Sequence, residues 1–168
     1  LEFISEAELV ENWEGMRKSG EAIDTGLRCA RTVNKLLEDG QRERKVYDLT
    51  ESTLAALDSN AAGSRVIELG FYLKLFRRLG YQPQLERCSS CGRSVEDDGS
   101  VGFSPEYGGV VCSDCSTEKS FPVSAGLRKV LVRLGGTPQS ELNRLKISEN
   151  QLKEGFLLLD RFGQFHFG

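Results

Sequence analysis

The chain has 168 residues, 39% hydrophobic and 28% charged, with 22 basic against 25 acidic side chains and a formal net charge of −3. That apolar content excludes a disordered chain, and no apolar run reaches the ~18 residues that a membrane-spanning helix needs. The single histidine, His166, excludes any multi-histidine metal or active site, and the mild acidity confines nucleic-acid contact to a local patch or to another part of a longer protein.

Length suits one domain, or one domain with a small satellite. The first residue is Leu1 and the lone methionine is Met16, with nothing near the start resembling a cleaved signal, so a fragment of a longer chain is expected. Ser5-Glu-Ala-Glu8 has the form of a capping box and predicts a helix through Leu9, Val10 and Trp13. A second helix is expected from about Met16 to Glu38, where Ile23, Leu27, Ala30, Asn34 and Leu37 recur at three and four residues, with Asp39-Gly40 ending it. Cys29 falls in this helix and reads as a small buried residue, not a reactive thiol. A third helix follows from about Arg42 to Leu57, then a turn over residues 58–63.

Residues 64–79 differ in kind. Val66, Ile67, Leu69, Phe71, Tyr72, Leu73, Leu75, Phe76 and Leu79 cover most of the helix circumference, the pattern of a helix at the centre of a bundle. Gly80 is positioned to cap it, and Pro83 prevents its resumption. Val101-Gly-Phe-Ser and Val110-Val-Cys flank Pro105-Glu-Tyr-Gly-Gly109 and predict a β-hairpin. A short helix is expected after Val123-Ser124, carrying Leu127, Val130, Leu131 and Leu134 up to Gly135-Gly136. Ser148-Glu-Asn-Gln151 is a second capping box and opens the last helix through Leu152, Phe156 and Leu159. The closing Phe162–Gly168 segment reads as an aromatic tail that docks on this body or on another chain.

Four of the five cysteines carry the strongest chemical signal. Cys88 and Cys91, then twenty residues, then Cys112 and Cys115 give C-x2-C twice. Two thiolates three positions apart on a tight turn reach one tetrahedral ion, and four satisfy Zn²⁺ with no position left for substrate. One structural Zn²⁺ is therefore expected, held by a module spanning about residues 86–118, with Gly92 closing the first turn. Disulfides fit less well, because the chain is large and one cysteine remains odd. The fold class is then mainly α, a helical bundle with an inserted four-cysteine zinc-binding β-hairpin module.

No phosphate loop, dinucleotide fingerprint or nucleophile elbow is present. A serine triad would need His166, which lies in a glycine-flanked tail not expected to hold it rigid, and Glu96-Asp97-Asp98 read as a solvated loop. The sequence gives no catalytic residues and no enzyme. Basic clusters remain: Arg28, Arg31 and Lys35; Arg42, Arg44 and Lys45; and Lys74, Arg77 and Arg78 beside Tyr81. The third places cations against aliphatic and aromatic surface, which suits an acidic peptide with a hydrophobic end or a nucleotide strand.

The run Phe71-Tyr-Leu-Lys-Leu-Phe-Arg-Arg-Leu-Gly-Tyr81-Gln-Pro-Gln-Leu-Glu-Arg-Cys88-Ser-Ser-Cys91-Gly-Arg93, with Phe103-Ser-Pro-Glu-Tyr-Gly-Gly-Val-Val-Cys112-Ser-Asp-Cys115, closely resembles the bacterial RecO recombination mediator family. Glu11-Asn-Trp-Glu-Gly-Met-Arg17 also resembles the start of that family's helical domain. The resemblance covers about residues 1–121 well and the remainder loosely. It implies that Cys88, Cys91, Cys112 and Cys115 are zinc ligands. It implies a domain that in the whole protein follows an N-terminal OB-fold, which would occupy roughly 70 to 100 residues before this point and supply the groove for stacked bases. It further implies a bacterial cytoplasmic protein of DNA repair and recombination that binds single- and double-stranded DNA and anneals strands. With RecR, such a protein helps load RecA on DNA covered by single-stranded-DNA-binding protein (SSB), whose acidic C-terminal tail is received by the helical domain in some members. Lys74, Arg77 and Arg78 are the expected contact for that tail or for DNA, an inference from their grouping and not a family match. Two other readings compete: an accessory zinc domain of a ligase- or topoisomerase-type enzyme, and a zinc-ribbon factor gripping nucleic acid through its hairpin. Glu96, Asp97, Asp98, Glu106 and Asp114 against Arg93 argue against the latter.

Overall fold

The structure, a computed structural model, describes residues 6, 8, 11–37, 43–95 and 99–168. The first capping serine at Ser5, the Asp39-Gly40 stop, Arg42 and the acidic run Glu96-Asp97-Asp98 lie outside the described residues. The helix expected through Trp13 is not found over residues 11–13, where Trp13 takes φ 45°; a 3-10 turn at Met16–Lys18 follows.

Ser19 accepts a hydrogen bond from the Ala22 N–H and starts α1, Gly20–Leu36, four residues after the Met16 start that periodicity suggested. This helix buries Ala22, Thr25, Gly26 and Cys29, one stripe at three and four residues. Helix α2, Arg44–Ser59, buries Val46, Leu49, Thr53, Ala56 and Leu57 on the same rule. A 3-10 turn at Ala61–Gly63 leads into α3, Ser64–Arg78. There Ile67, Leu69, Phe71, Leu73, Leu75 and Phe76 are all buried, on opposite sides of one helix. Helix α3 therefore packs against α1, α2 and, further along the chain, α4 (Ala125–Gly136), α5 (Glu149–Phe167) and the 3-10 turn Gln139–Arg144. Each such large apolar side chain contributes roughly 1.5–3 kcal/mol when withdrawn from water. The helix stops where expected: Tyr81 N–H donates to the Phe76 carbonyl at 2.8 Å and Gly80 N–H to that of Arg77 at 3.2 Å, satisfying its last carbonyls.

Between α3 and α4 lies the only sheet among the described residues. It is three-stranded and antiparallel, ordered β2-β1-β3, with β1 Ser100–Ser104, β2 Gly109–Val111 and β3 Phe121–Ser124. The hairpin of the sequence reading is β1–β2, with Phe103 opposite Val110. Strand β3 was not expected, because Phe121-Pro122 gives a poor strand signal. It lies at an edge, where a proline's missing N–H breaks no ladder, and Val123 pairs with Val101. Ser124 ends β3 and caps α4, accepting from Leu127 N–H at 3.1 Å.

The second capping box forms as read: Ser148 accepts from Gln151 N–H while the Gln151 side chain accepts from Ser148 N–H. Helix α5 does not stop before the aromatic tail. It runs to Phe167, and Phe162, His166 and Phe167 dock on this body, with Phe162 and Phe167 rings 5.7 and 5.1 Å from that of Phe76. No helix among the described residues is long and apolar enough to cross a membrane.

Candidate metal centre

The two cysteine pairs come from two different local structures that the sheet brings together. The first lies on the segment after α3. Gln84 N–H donates to Gly108 O, Val110 N–H to Gln84 O and Ser89 N–H to Val110 O, so this segment runs along the outer side of β2. Gly109 permits that approach, since a Cβ there would stand 2.4 Å from the Gln84 carbonyl oxygen. Beyond Cys88 the chain reverses: Gly92 N–H donates to Cys88 O and Cys88 N–H to Arg93 O, both at 2.8 Å. Gly92 sits at φ +77°, the left-handed conformation a turn of this kind asks of a glycine, in line with the sequence reading. The second pair follows β2 directly, on the 3-10 turn Ser113–Cys115.

The result is one cluster. The sulfurs of Cys88, Cys91, Cys112 and Cys115 all lie within 4.8 Å of one another. Cys91 Sγ and Cys112 Sγ are 3.8 Å apart. Ligands 2.3 Å from a tetrahedral Zn²⁺ are separated by about 3.8 Å, whereas a disulfide requires about 2.05 Å. All four thiols are free in this structure. Cys88 and Cys112 are buried, Cys115 is half-buried and Cys91 exposed, so the site opens on one side only.

Local electrostatics ask for a cation. Burial pushes the Cys88 thiol up, but N–H groups of Cys112, Cys91 and Ser90 pull harder and leave it lowered to about 6; the Cys112 N–H lies 3.4 Å from its sulfur. The Ser90 hydroxyl favours the Cys115 thiolate, yet the adjoining sulfurs of Cys112, Cys91 and Cys88 together with desolvation outweigh it and raise Cys115 to about 12. Four sulfurs this close cannot all be anionic without a positive charge among them. The donor set is all sulfur and tetrahedral in number. It fits a divalent metal ion such as zinc, and four sulfur ligands would leave such an ion no open coordination position.

The module is not a satellite. Leu85, Cys88, Val95, Val101, Phe103, Val110, Val111 and Cys112 belong to the same buried cluster as Leu69, Leu73 and Phe76 of α3, Leu127 and Leu131 of α4 and Phe162 of α5. Arg128 of α4 is also buried, and its guanidinium donates to the Val95 carbonyl at 2.5 Å.

The remaining sequence candidates separate on inspection. Cys29 is fully buried, and desolvation raises its thiol to about 12, as an inert core residue requires. Arg28 leaves the cationic stripe of α1: its guanidinium donates twice to the Glu68 carboxylate, at 2.7 and 2.8 Å, and Tyr72 OH donates to the same group at 3.2 Å. Lys35 donates to the Gly168 carbonyl at 3.4 Å, and Arg44 pairs with Asp48 at 3.7 Å. Lys74 is only 9% exposed, whereas Arg77 and Arg78 are exposed. Lys74 Nζ donates to Gln139 Oε1 at 2.6 Å, Gln139 Nε2 donates to Thr53 Oγ1 at 2.7 Å, and Thr53 Oγ1 donates to the Leu49 carbonyl at 2.7 Å. Sequence reasoning missed this buried polar chain, along with Glu68. No local pattern announces a partner 65 positions away. His166 is held firmly, contrary to the expectation for a loose tail. Its ring lies 4.3 Å from that of Phe162 and 5.3 Å from that of Tyr81. With no acid or serine hydroxyl recorded as its partner among the described residues, it has no triad around it.

The family model described as Recombination protein O C terminal matches residues 17–168. The chain belongs to the RecO C-terminal domain family. It is 32% identical over 144 residues to the DNA repair protein RecO of Rubrobacter xylanophilus, covering 84% of this chain and 57% of that protein. It is 27% identical over 168 residues to RecO of Desulforamulus reducens, covering 99% of this chain and 64% of that one. With RecO of Caldanaerobacter subterraneus the identity is 32% over 114 residues, covering 68% and 45%. The chain thus spans about half to two thirds of the length of these curated relatives. The RecO family match also extends through α4 and α5, beyond the region where the sequence resemblance was strong.

Proposed function

We propose that this chain is the helical, zinc-containing part of a RecO-type recombination mediator that works without catalysis of its own. In the whole protein it would act with an N-terminal OB-fold to bind single- and double-stranded DNA and anneal strands. With RecR it would help load RecA on SSB-coated single strands. The observation that carries this reading is the family match over residues 17–168, which takes in both cysteine pairs. It also weighs against the ligase- or topoisomerase-type alternative. Cys88, Cys91, Cys112 and Cys115 would hold one Zn²⁺, whose contribution is to lock the segment after α3 to β2 and hold the sheet against the helices.

The partner surface we propose is the end of α3. Arg77 and Arg78 would present charge to the acidic SSB tail or to DNA, with Lys74 behind them in the interior. The test is direct binding of a fluorescent SSB-tail peptide and of single-stranded DNA to the 168-residue chain and to its Arg77→Glu/Arg78→Glu variant. The expected result is about a tenfold or greater loss of affinity for at least one ligand, corresponding to about 1.4 kcal/mol or more. Unchanged affinities for both would overturn this surface.

A further inference from the structure

Lys74 lines a cavity of about 430 Å³ between α2, α3 and the Gln139–Arg144 turn. That volume lies in the range of about 300–1,000 Å³ typical of small-molecule sites. Lys74 is nine-tenths buried, and its ammonium has one recorded hydrogen-bond partner, the Gln139 oxygen. Gln139 cannot turn away, because its amide N–H₂ is committed to Thr53 Oγ1, whose own proton goes to the Leu49 carbonyl. The Gln139 oxygen is thereby fixed as a neutral acceptor, leaving two ammonium protons without a recorded partner.

The cavity also lacks a counter-charge. None of its lining residues is acidic, and among the described residues neither Lys74 nor Arg78 makes an ion pair. Arg78, one turn on, adds a second cation to the same cavity. Burial, and then Arg78, hold the Lys74 ammonium down to about 8 from 10.5, so Lys74 remains charged at neutral pH. A buried ammonium beside a guanidinium, with no carboxylate, is costly unless an anion joins them. Asn60, Ser140 and Asn143 line the same cavity, and their side chains have no hydrogen-bond partner among the described residues.

We propose that the Lys74–Arg78 cavity is a phosphomonoester site, taking the terminal phosphate of a nucleic-acid strand or of a mononucleotide. This rests on the reading of the α3 cations as an anion contact and narrows it to phosphate. A phosphomonoester is a near-dianion with three free oxygens, matching two cations and the remaining lysine protons. A peptide carboxylate carries one charge. An internal phosphodiester carries one charge and is tethered on both sides, so a recessed lysine is reached more readily by a strand end. The amide and hydroxyl groups of Asn60, Ser140 and Asn143 suit the sugar that accompanies such a phosphate.

The test titrates the 168-residue chain with thymidine 5′-monophosphate, thymidine and inorganic phosphate. It then compares one short single-stranded oligonucleotide bearing a 5′-phosphate with the same strand ending in a 5′-hydroxyl. The expected result is binding of the monophosphate but not of thymidine, or a preference of about tenfold for the phosphorylated strand. Binding of the mononucleotide alone identifies a free nucleotide as the ligand, and a strand-end preference identifies DNA. Either effect is expected to vanish in Arg78→Ala, an exposed position that leaves the fold intact, and in Lys74→Met if that variant folds. A wild-type chain indifferent to terminal phosphate overturns the inference, as does a phosphate effect that survives Arg78→Ala. Tighter binding of an acidic peptide that displaces the monophosphate overturns it too. If the hydroxyl strand binds and weakens on Arg77→Glu while terminal phosphate adds nothing, the broader reading stands without the narrower one; if neither strand nor peptide binds, the broader reading falls.

Discussion

Buried side chains decide most of what single substitutions will do here. Glu68 is 5% exposed and shared between Arg28 and Tyr72, while the Arg28 side chain remains partly open to water. Removing the arginine strands a buried carboxylate, whereas removing the carboxylate lets the guanidinium turn to solvent. Arg28→Ala should therefore cost about 2–3 kcal/mol and Glu68→Gln clearly less, as read by urea denaturation. Lys74 gives a pH signature. Its folded-state value is held at about 8, against 10.5 when unfolded, by burial and then by Arg78. Between those values the unfolded chain binds the proton more strongly. Stability should thus rise as pH is raised from 8 to 10.5, and the penalty should persist in full below 8. A Lys74→Met variant that folds should lack this rise, and matched denaturation series across that window would reveal it. Cys29 should resist thiol reagents in the native protein, consistent with its complete burial and its raised thiol. Labelling before and after unfolding distinguishes it from the four clustered cysteines.

At the scale of elements, legibility followed the distance over which the cause acts. Helix α3 was readable because its apolar circumference is a local pattern, and α4 and α5 announced themselves through Ser124 and Ser148. The cysteine cluster was readable because C-x2-C fixes a turn. Strand β3 and the end of α5 were not, since each depends on a partner remote in sequence. Pro122 is tolerated only because β1 places it at an edge. Gly163 lies within α5 because Phe162 and Phe167 pack on Phe76 to either side of it, outweighing its roughly 1 kcal/mol helix penalty. Phe162 is 1% exposed and contacts rings from α3 and β1, so Phe162→Ala should cost about 3–5 kcal/mol by thermal or chemical denaturation. A tail docked only loosely would lose under about 1 kcal/mol. The polar chain Lys74–Gln139–Thr53 was likewise invisible, because Gln139 stands in a 3-10 turn with no pattern of its own.

For the whole molecule, the consequence of sharing one core is that metal and fold should stand or fall together. A zinc module that stood apart over residues 86–118 would unfold only locally on losing a ligand. The structure places Phe103, Val110 and Cys112 in one cluster with α3, α4 and α5, so damage at the sulfurs should spread to the helices. Structural zinc contributes on the order of 10 kcal/mol in small modules, and whole domains are stable by only about 5–15 kcal/mol. The most direct measurement is zinc content of the freshly purified chain followed by thermal unfolding, monitored by helical circular dichroism, with and without a strong chelator. The expected result is one zinc per chain and a fall in Tm of more than about 10 °C, or loss of the cooperative transition, on chelation. A metal-free chain whose helices melt at the same temperature with or without the chelator would contradict it.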